Sequence, residues 1–153
     1  MTSNASAPPP RAVAGDRLSA AEVYAIWQIR DLVFAVEQRC DEPDVDGIDL
    51  LASTTHLWLA DAQGLTSYLR SYAGNSGTRR IGRVCTRIDQ RGRGLSGRLL
   101  THALDLWGHE RIDIGAQAYL EDWYTGYGFT RSGPGYEEAG IAHLPMTRLA
   151  ARG

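Results

Sequence analysis

A chain of 153 residues with 43% hydrophobic and 22% charged residues is long enough for one domain with a sizeable core. Its formal net charge of −2 argues against a protein that coats nucleic acid. Two cysteines make no disulfide framework and point to a reducing cytoplasm, and no apolar run approaches the length of a membrane span.

The Ala/Pro/Ser-rich stretch from Met1 to Gly15 lacks the basic start and apolar middle of a signal peptide, so residues 1–17 are expected to be a disordered leader and 18–153 one domain. Ser19-Ala20-Ala21-Glu22 is a capping box, and the helix after it carries Val23, Ile26, Trp27, Val33 and Phe34 at helical spacing to about Gln38. An acidic loop runs from Cys40 to Leu50. Thr54 to Ala60 and Leu65 to Tyr72 read as strands around the turn Asp61-Ala62-Gln63-Gly64, and a second turn at Gly74-Asn75-Ser76-Gly77 leads into a strand from Arg80 to Ile88. Leu99, Leu100, Ala103, Leu104 and Trp107 mark the buried stripe of a helix from Leu95 to His109. Ile112 to Ala118 is a strand and Leu120 to Tyr127 a short helix, and Phe129 and Ile141 to Arg148 belong to two closing strands. The order predicts a single α/β domain with a mixed, mostly antiparallel central sheet flanked by helices.

Between the third strand and the second long helix lies Gln90-Arg91-Gly92-Arg93-Gly94-Leu95-Ser96-Gly97. Its small residues allow a tight turn and a close approach of the backbone to a ligand. The helix that begins there points free N–H groups back into the turn, which suits phosphate. Arg79, Arg80, Arg83, Arg87, Arg91, Arg93 and Arg98 surround the loop against one acid, Asp89. No Gly-Lys-Ser/Thr follows, so it is not a Walker loop, and no βαβ unit opens the chain as a dinucleotide fold requires. By itself the loop fits a ligand site or a bland helix-entering turn with solvated arginines.

A second motif decides between them. Trp123-Tyr124 is followed by Gly128-Phe129, and with Arg91-x-x-Gly94-x-Ser96 the sequence resembles the GNAT superfamily of N-acetyltransferases over nearly the whole chain after Leu18. A narrower similarity, to the ElaA-like branch, rests on Val33-Phe34-Ala35-Val36-Glu37-Gln38, the loop Asp44 to Asp49, Ile81-Gly82-Arg83-Val84, Gly115-Ala116-Gln117-Ala118 and Tyr136 to His143. Ser96 stands where the family usually has Gly or Ala, and Gln117 where many members have Asn.

The resemblance implies acetyl-CoA as donor substrate, with no metal. Its pyrophosphate would lie on Arg91, Gly92, Arg93, Gly94, Leu95 and Ser96, with the Arg91 and Arg93 side chains neutralising it. Its pantetheine arm would pair with Val84, Cys85 and Thr86, and one N–H there, that of Cys85, would stabilise the oxyanion. Gln117 and Trp123 would flank it. Tyr124 is the candidate general acid for the departing thiolate, with packing against the cofactor as the alternative role. Glu37, His56, Glu121 and His143 are candidates to deprotonate the amine; Glu37 fits a salt bridge with Arg30 or Arg83 equally well. Glu37, Glu138 and His143 are the expected acceptor-binding residues.

Counting Glu42 as the first ligand of a calcium loop puts Gly47 sixth, but Ser53 stands twelfth in place of Glu, so the acids read as a solvated loop or a wall for a cationic acceptor. Direct transfer makes Cys85 a strand residue, not a nucleophile. The expected partner is a small-molecule or peptide amine, with no nucleic acid and no membrane. A homodimer is compatible with these features. A non-catalytic acyl-CoA sensor is the competing function.

Overall fold

The structure is a computed structural model that describes residues 8–151. The first seven residues of the expected leader lie outside them. The rest of that stretch is built into the fold: Arg11–Ala14 forms an edge strand, β1, antiparallel to β2, Thr55–Asp61. Gly15 follows at a close approach, where its N–H reaches the Thr54 carbonyl at 2.8 Å and a Cβ would meet the Leu51 carbonyl at 2.5 Å. The expectation of disorder is corrected for residues 11–17, because four residues suffice to add an edge strand.

The capping box is present: the Glu22 N–H donates to Ser19 Oγ at 3.1 Å and the Ser19 N–H to Glu22 Oε1 at 2.9 Å. Helix α1 is α-helical over Ala20–Arg30 and then widens into a π-helical segment, Asp31–Glu37, where the expected helix continued unchanged. Strands β2, β3 (Gly64–Ala73) and β4 (Arg79–Thr86) form an antiparallel meander. Helix α2, Leu95–Trp107, crosses to β5, Ile112–Gln117, which starts parallel to β4. A short α3, Glu121–Thr125, and the strands β6 (Thr130–Arg131), β7 (Tyr136–Glu138) and β8 (Ile141–Arg148) close the domain. The sheet order is β1-β2-β3-β4-β5-β8-β6, with β7 also on β8.

Strand alternation gives the sheet two apolar faces. On one, Leu57, Leu69, Ile81, Ile112, Ile114 and Met146 pack against Leu99, Leu100 and Ala103 of α2, all but out of solvent. Each fully buried leucine there contributes about 1.5–3 kcal/mol. On the other, Trp58, Tyr68 and Cys85 pack against Ile26, Ile29 and Val33 of the first helix. Among the described residues, no helix is long and apolar enough to cross a membrane.

Candidate active site

Strands β4 and β5 are in register only at Arg79–Ile112 and Arg80–Asp113. Beyond those pairs β4 stays with β3 while β5 follows β8, and a cavity of about 730 Å3 opens between them. Val84, Cys85 and Thr86 line one wall, and Ile114, Gly115 and Gln117 the other. A bulge sharpens the divergence: the β3 register passes from Arg70–Gly82 to Tyr68–Cys85, leaving Arg83 and Val84 without ladder partners. Arg83 takes a left-handed φ of 53°, held by its side-chain hydrogen bond to Asp44 at 2.8 Å.

The ladder corrects one assignment. Ser67 pairs with Thr86, and the Arg87 N–H donates to the Thr66 carbonyl. Antiparallel alternation therefore turns the Cys85 N–H toward β3 and the Thr86 N–H into the cavity. The Cys85 main chain is not the oxyanion donor; Thr86 and the bulged Val84 flank the opening instead. Burial pushes the Cys85 thiol up to about 12, so it is no nucleophile at neutral pH.

At the end of β4 the glycine loop turns into α2. Gly92 and Gly94 have φ of 79° and 71°, and a Cβ on either would meet nothing within 4 Å, so glycine is there for the dihedral and not for space. Gly94 is the N-cap and supplies no side-chain acceptor, which leaves the first-turn N–H groups of α2 facing the cavity. The Ser96 hydroxyl ties the loop to β4, 2.6 Å from Thr86 Oγ1. Arg91 is engaged otherwise than expected: both its terminal nitrogens bond the Glu37 carboxylate at 2.6 Å, and its Nε bonds the Thr86 carbonyl at 3.0 Å. This pair, not one to Arg30 or Arg83, is the salt bridge of Glu37. Its hydrogen bond holds the Glu37 pKa below the ordinary carboxylate value, which makes Glu37 a poor base. Arg93 is exposed and lies outside the cavity lining.

The neighbouring arginines are paired off in several directions: Arg79 with Glu110, Arg83 with Asp44, Arg87 with Asp61 and Asp89. With Arg91 on Glu37, four of the seven clustered arginines are held in ion pairs.

Tyr124, on α3, lines the cavity while only 5% exposed. Burial raises its pKa, so the phenol keeps its proton. Trp123 and Phe129 hold the ring edge-to-face, with centroids at 4.9 and 5.8 Å. Trp123 also meets Tyr127, whose hydroxyl stands 2.5 Å from where a Gly97 Cβ would be, so α3 packs closely on α2.

Across the cavity stands His143, stacked on Tyr136 with centroids 5.6 Å apart. Its Nδ1 lies 2.7 Å from the Ile141 carbonyl, which can only accept, so Nδ1 carries the proton. In the neutral ring Nε2 is then the basic nitrogen, with Glu138 at 3.8 Å. Gln117 reaches the cavity but its amide donates to Gln38 at 3.1 Å, bridging β5 to the end of the π-helical segment.

Two candidate bases fall away on placement. His56 is fully buried, its Nε2 donating to the Asp49 carbonyl at 2.7 Å and its Nδ1 accepting from the Tyr68 hydroxyl at 2.6 Å. Glu121 is outside the cavity lining. The acidic loop is also corrected, because it is neither a solvated loop nor a free anionic wall. Asp49 bonds the buried Arg30 and Arg70 at 2.6 and 2.8 Å, Asp44 bonds Arg30 and Arg83, and Asp46 bonds Arg70. Three aspartates thus match three arginines, and the loop is pulled onto the sheet. Glu42 and Asp44 bring it to the cavity edge.

Sequence reading missed Tyr72, Arg80, Gly115 and Tyr136, which also line the cavity. The period of two, projected from Gln117 and Gly82 along β5 and β4, points at Gly115 and Arg80; Tyr72 and Tyr136 arrive through pairing that no local pattern reveals.

Comparison with known proteins agrees with this geometry. A model of the acetyltransferase (GNAT) domain matches residues 46–150. A UPF0039 protein of Mycobacterium tuberculosis is 45% identical over 135 residues, covering 86% of each chain. Protein ElaA of Escherichia coli is 34% identical over 139 residues, covering 86% of this chain and 90% of its own. Its crystal structure superposes with a TM-score of 0.84 at 31% identity over 91% of this chain and 97% of that one. An acyl-CoA N-acyltransferase from Pseudomonas aeruginosa superposes with a TM-score of 0.86 at 36% identity, with the same coverage.

Proposed function

The chain belongs to the GNAT acyltransferase family, in its ElaA-like branch, and on that premise we propose that it moves an acetyl group from acetyl-CoA to a primary amine by direct attack. One observation carries this reading: the opening between β4 and β5 leads from the uncapped N-terminus of α2 to a chamber with Tyr124 on one side and His143 on the other.

The residues fit the donor. The first-turn amides of α2 take the pyrophosphate without a side-chain competitor. Thr86 N–H, unpaired by β3, offers a strand-like bond to the pantetheine amides. Acetyl-CoA supplies an activated thioester. His143 Nε2 removes a proton from the incoming ammonium, and the freed amine nitrogen forms the new bond to the carbonyl carbon. The Val84 N–H, released from the ladder by the bulge, steadies the charge on the carbonyl oxygen. Tyr124 gives its proton to the sulfur as the C–S bond breaks, and the second proton, shed by the attacking nitrogen as the amide forms, passes through water to restore the phenol. The products are the amide and coenzyme A. Both cysteines are free thiols, in keeping with work in a reducing cytoplasm.

The test is thiol release from acetyl-CoA across amines, amino acids, polyamines and peptides, beside calorimetric titration with acetyl-CoA. Amine-dependent release supports catalysis. Tight binding with no release from any acceptor would make the protein a sensor of acyl-CoA instead.

A further inference from the structure

The acceptor side of the cavity has a charge that the ion-pair network leaves over. Asp44, Asp46 and Asp49 are taken up by Arg30, Arg70 and Arg83. Among the described residues Arg80 makes no ion pair, although Arg79 beside it is bound to Glu110. Arg80 nevertheless lines the cavity, half-buried.

Register fixes which way it faces. Arg80 stands opposite Tyr72 on β3 and beside Asp113 on β5, and directly paired residues project to the same face. Two residues along β5 from Asp113 is Gly115, and two further is Gln117, paired with His143. So Arg80, Tyr72 and His143 share one face of the sheet, the one that carries α1. Gly115 has no side chain there because the Tyr136 hydroxyl occupies the place of its Cβ. Tyr136 is therefore set over β5, stacked on His143. Burial raises the Tyr136 phenol, Glu138 adds to that and Arg80 opposes it, so both charges act on the hydroxyl. The chamber has a cationic pole at Arg80 and an anionic pole at Glu138 beside His143, and Tyr72 and Tyr136 line it with them.

We propose that the acceptor is an amino acid or a peptide with a free carboxylate, its carboxylate held by Arg80 with the Tyr72 and Tyr136 hydroxyls and its amine directed to His143 and Glu138. A polyamine uses only the anionic pole and leaves the half-buried guanidinium facing a second cation. An amino acid satisfies both poles, and a guanidinium meets a carboxylate with two parallel bonds. The proposal deepens the acyltransferase reading and rests on it for which site is the acceptor's.

The experiment pairs each amino acid with the amine left when its carboxylate is removed: lysine with cadaverine, histidine with histamine, phenylalanine with phenethylamine. Thiol release gives kcat/KM, and calorimetry in the presence of coenzyme A gives acceptor affinity, for the wild type, Arg80→Gln and Arg80→Lys. The expected result is that carboxylated acceptors are preferred by about tenfold or more. Arg80→Gln collapses that ratio toward one through KM, and Arg80→Lys restores part of it. Equal or better use of the matched amines or of polyamines by the wild type overturns the proposal, as does an unchanged ratio in Arg80→Gln. If no acceptor releases thiol, the acyltransferase reading fails separately. The binding arm then decides: Arg80-dependent binding of the carboxylated ligand upholds the site, and its absence overturns it.

Discussion

Replacing Asp49 with asparagine tests the ion-pair network under the acceptor wall. Arg30 and Arg70 have side chains 0% and 1% exposed, and a single oxygen of Asp49 binds both. Its other oxygen has no hydrogen-bond partner among the described residues. Asparagine keeps the shape and the shared acceptor oxygen and removes only the charge, leaving three arginines against two aspartates. Breaking a buried ion pair from one side costs about 3–5 kcal/mol. In a chain of this size each kcal/mol lowers Tm by roughly 2–4 °C, so a drop of roughly 6–20 °C is expected. Burial alone would raise the Asp49 pKa, but the hydrogen bond and charge of Arg30, and then those of Arg70, outweigh it and hold the carboxylate low. Such a group stabilises the fold above its unfolded value of about 3.9 and loses that contribution as pH falls through the lower folded value. The gap between wild type and Asp49→Asn is therefore full at neutral pH and closes on acidification. Urea unfolding across pH, with m unchanged, measures it. A neutral-pH difference under about 1 kcal/mol, or a gap that does not narrow in acid, refutes the account of the network.

Three further outcomes follow from the cavity. Tyr124→Phe lowers kcat by about 10²- to 10⁴-fold, with acetyl-CoA affinity by calorimetry changed little; unchanged turnover removes Tyr124 as the acid. Glu37→Gln keeps kcat within a few-fold, because a carboxylate bound to Arg91 is not the base, and it costs only about 0.2–1 kcal/mol of stability since the pair is exposed; a loss of turnover of 10²-fold or more would restore Glu37 as base. Gly94→Ala places a side chain at φ 71° in open space, so the strain is conformational. About 1–2 kcal/mol is expected in stability or acetyl-CoA affinity, and Gly94→Asn, which tolerates that dihedral, should lose less.

What the sequence made legible is what short-range pattern governs. Ser19 and Glu22 are three residues apart and form their capping box, the α2 stripe buries as spaced, and the glycine loop and Trp123-Tyr124 meet in one cavity. What it hid depends on distant partners. Arg91 and Glu37 are 54 residues apart, and each taken alone fits another role better. The acids of the 40–50 loop look solvated until Arg30, Arg70 and Arg83 arrive from a helix and two strands. The turn of the Cys85 N–H toward β3 depends on ladder parity across the bulge, a register that no side-chain pattern reports. β1 escaped notice because only Val13 in it is strongly apolar; its place is set by the edge of β2.

The divergence of β4 and β5 leaves two strand edges facing each other inside the molecule. Unpaired edges on a surface invite other chains to add to them. Here each edge is screened by the other across the cavity. What β4 presents there is main chain, while Cys85 turns its side chain away into the α1-side core. The Cys85 side chain can therefore change within the limits of packing without altering the main-chain groups on that edge, whereas the Thr86 hydroxyl, bonded to Ser96, ties the glycine loop to it. Changes that insert or delete a residue in the bulge would shift every donor by one position and flip it to the wrong side.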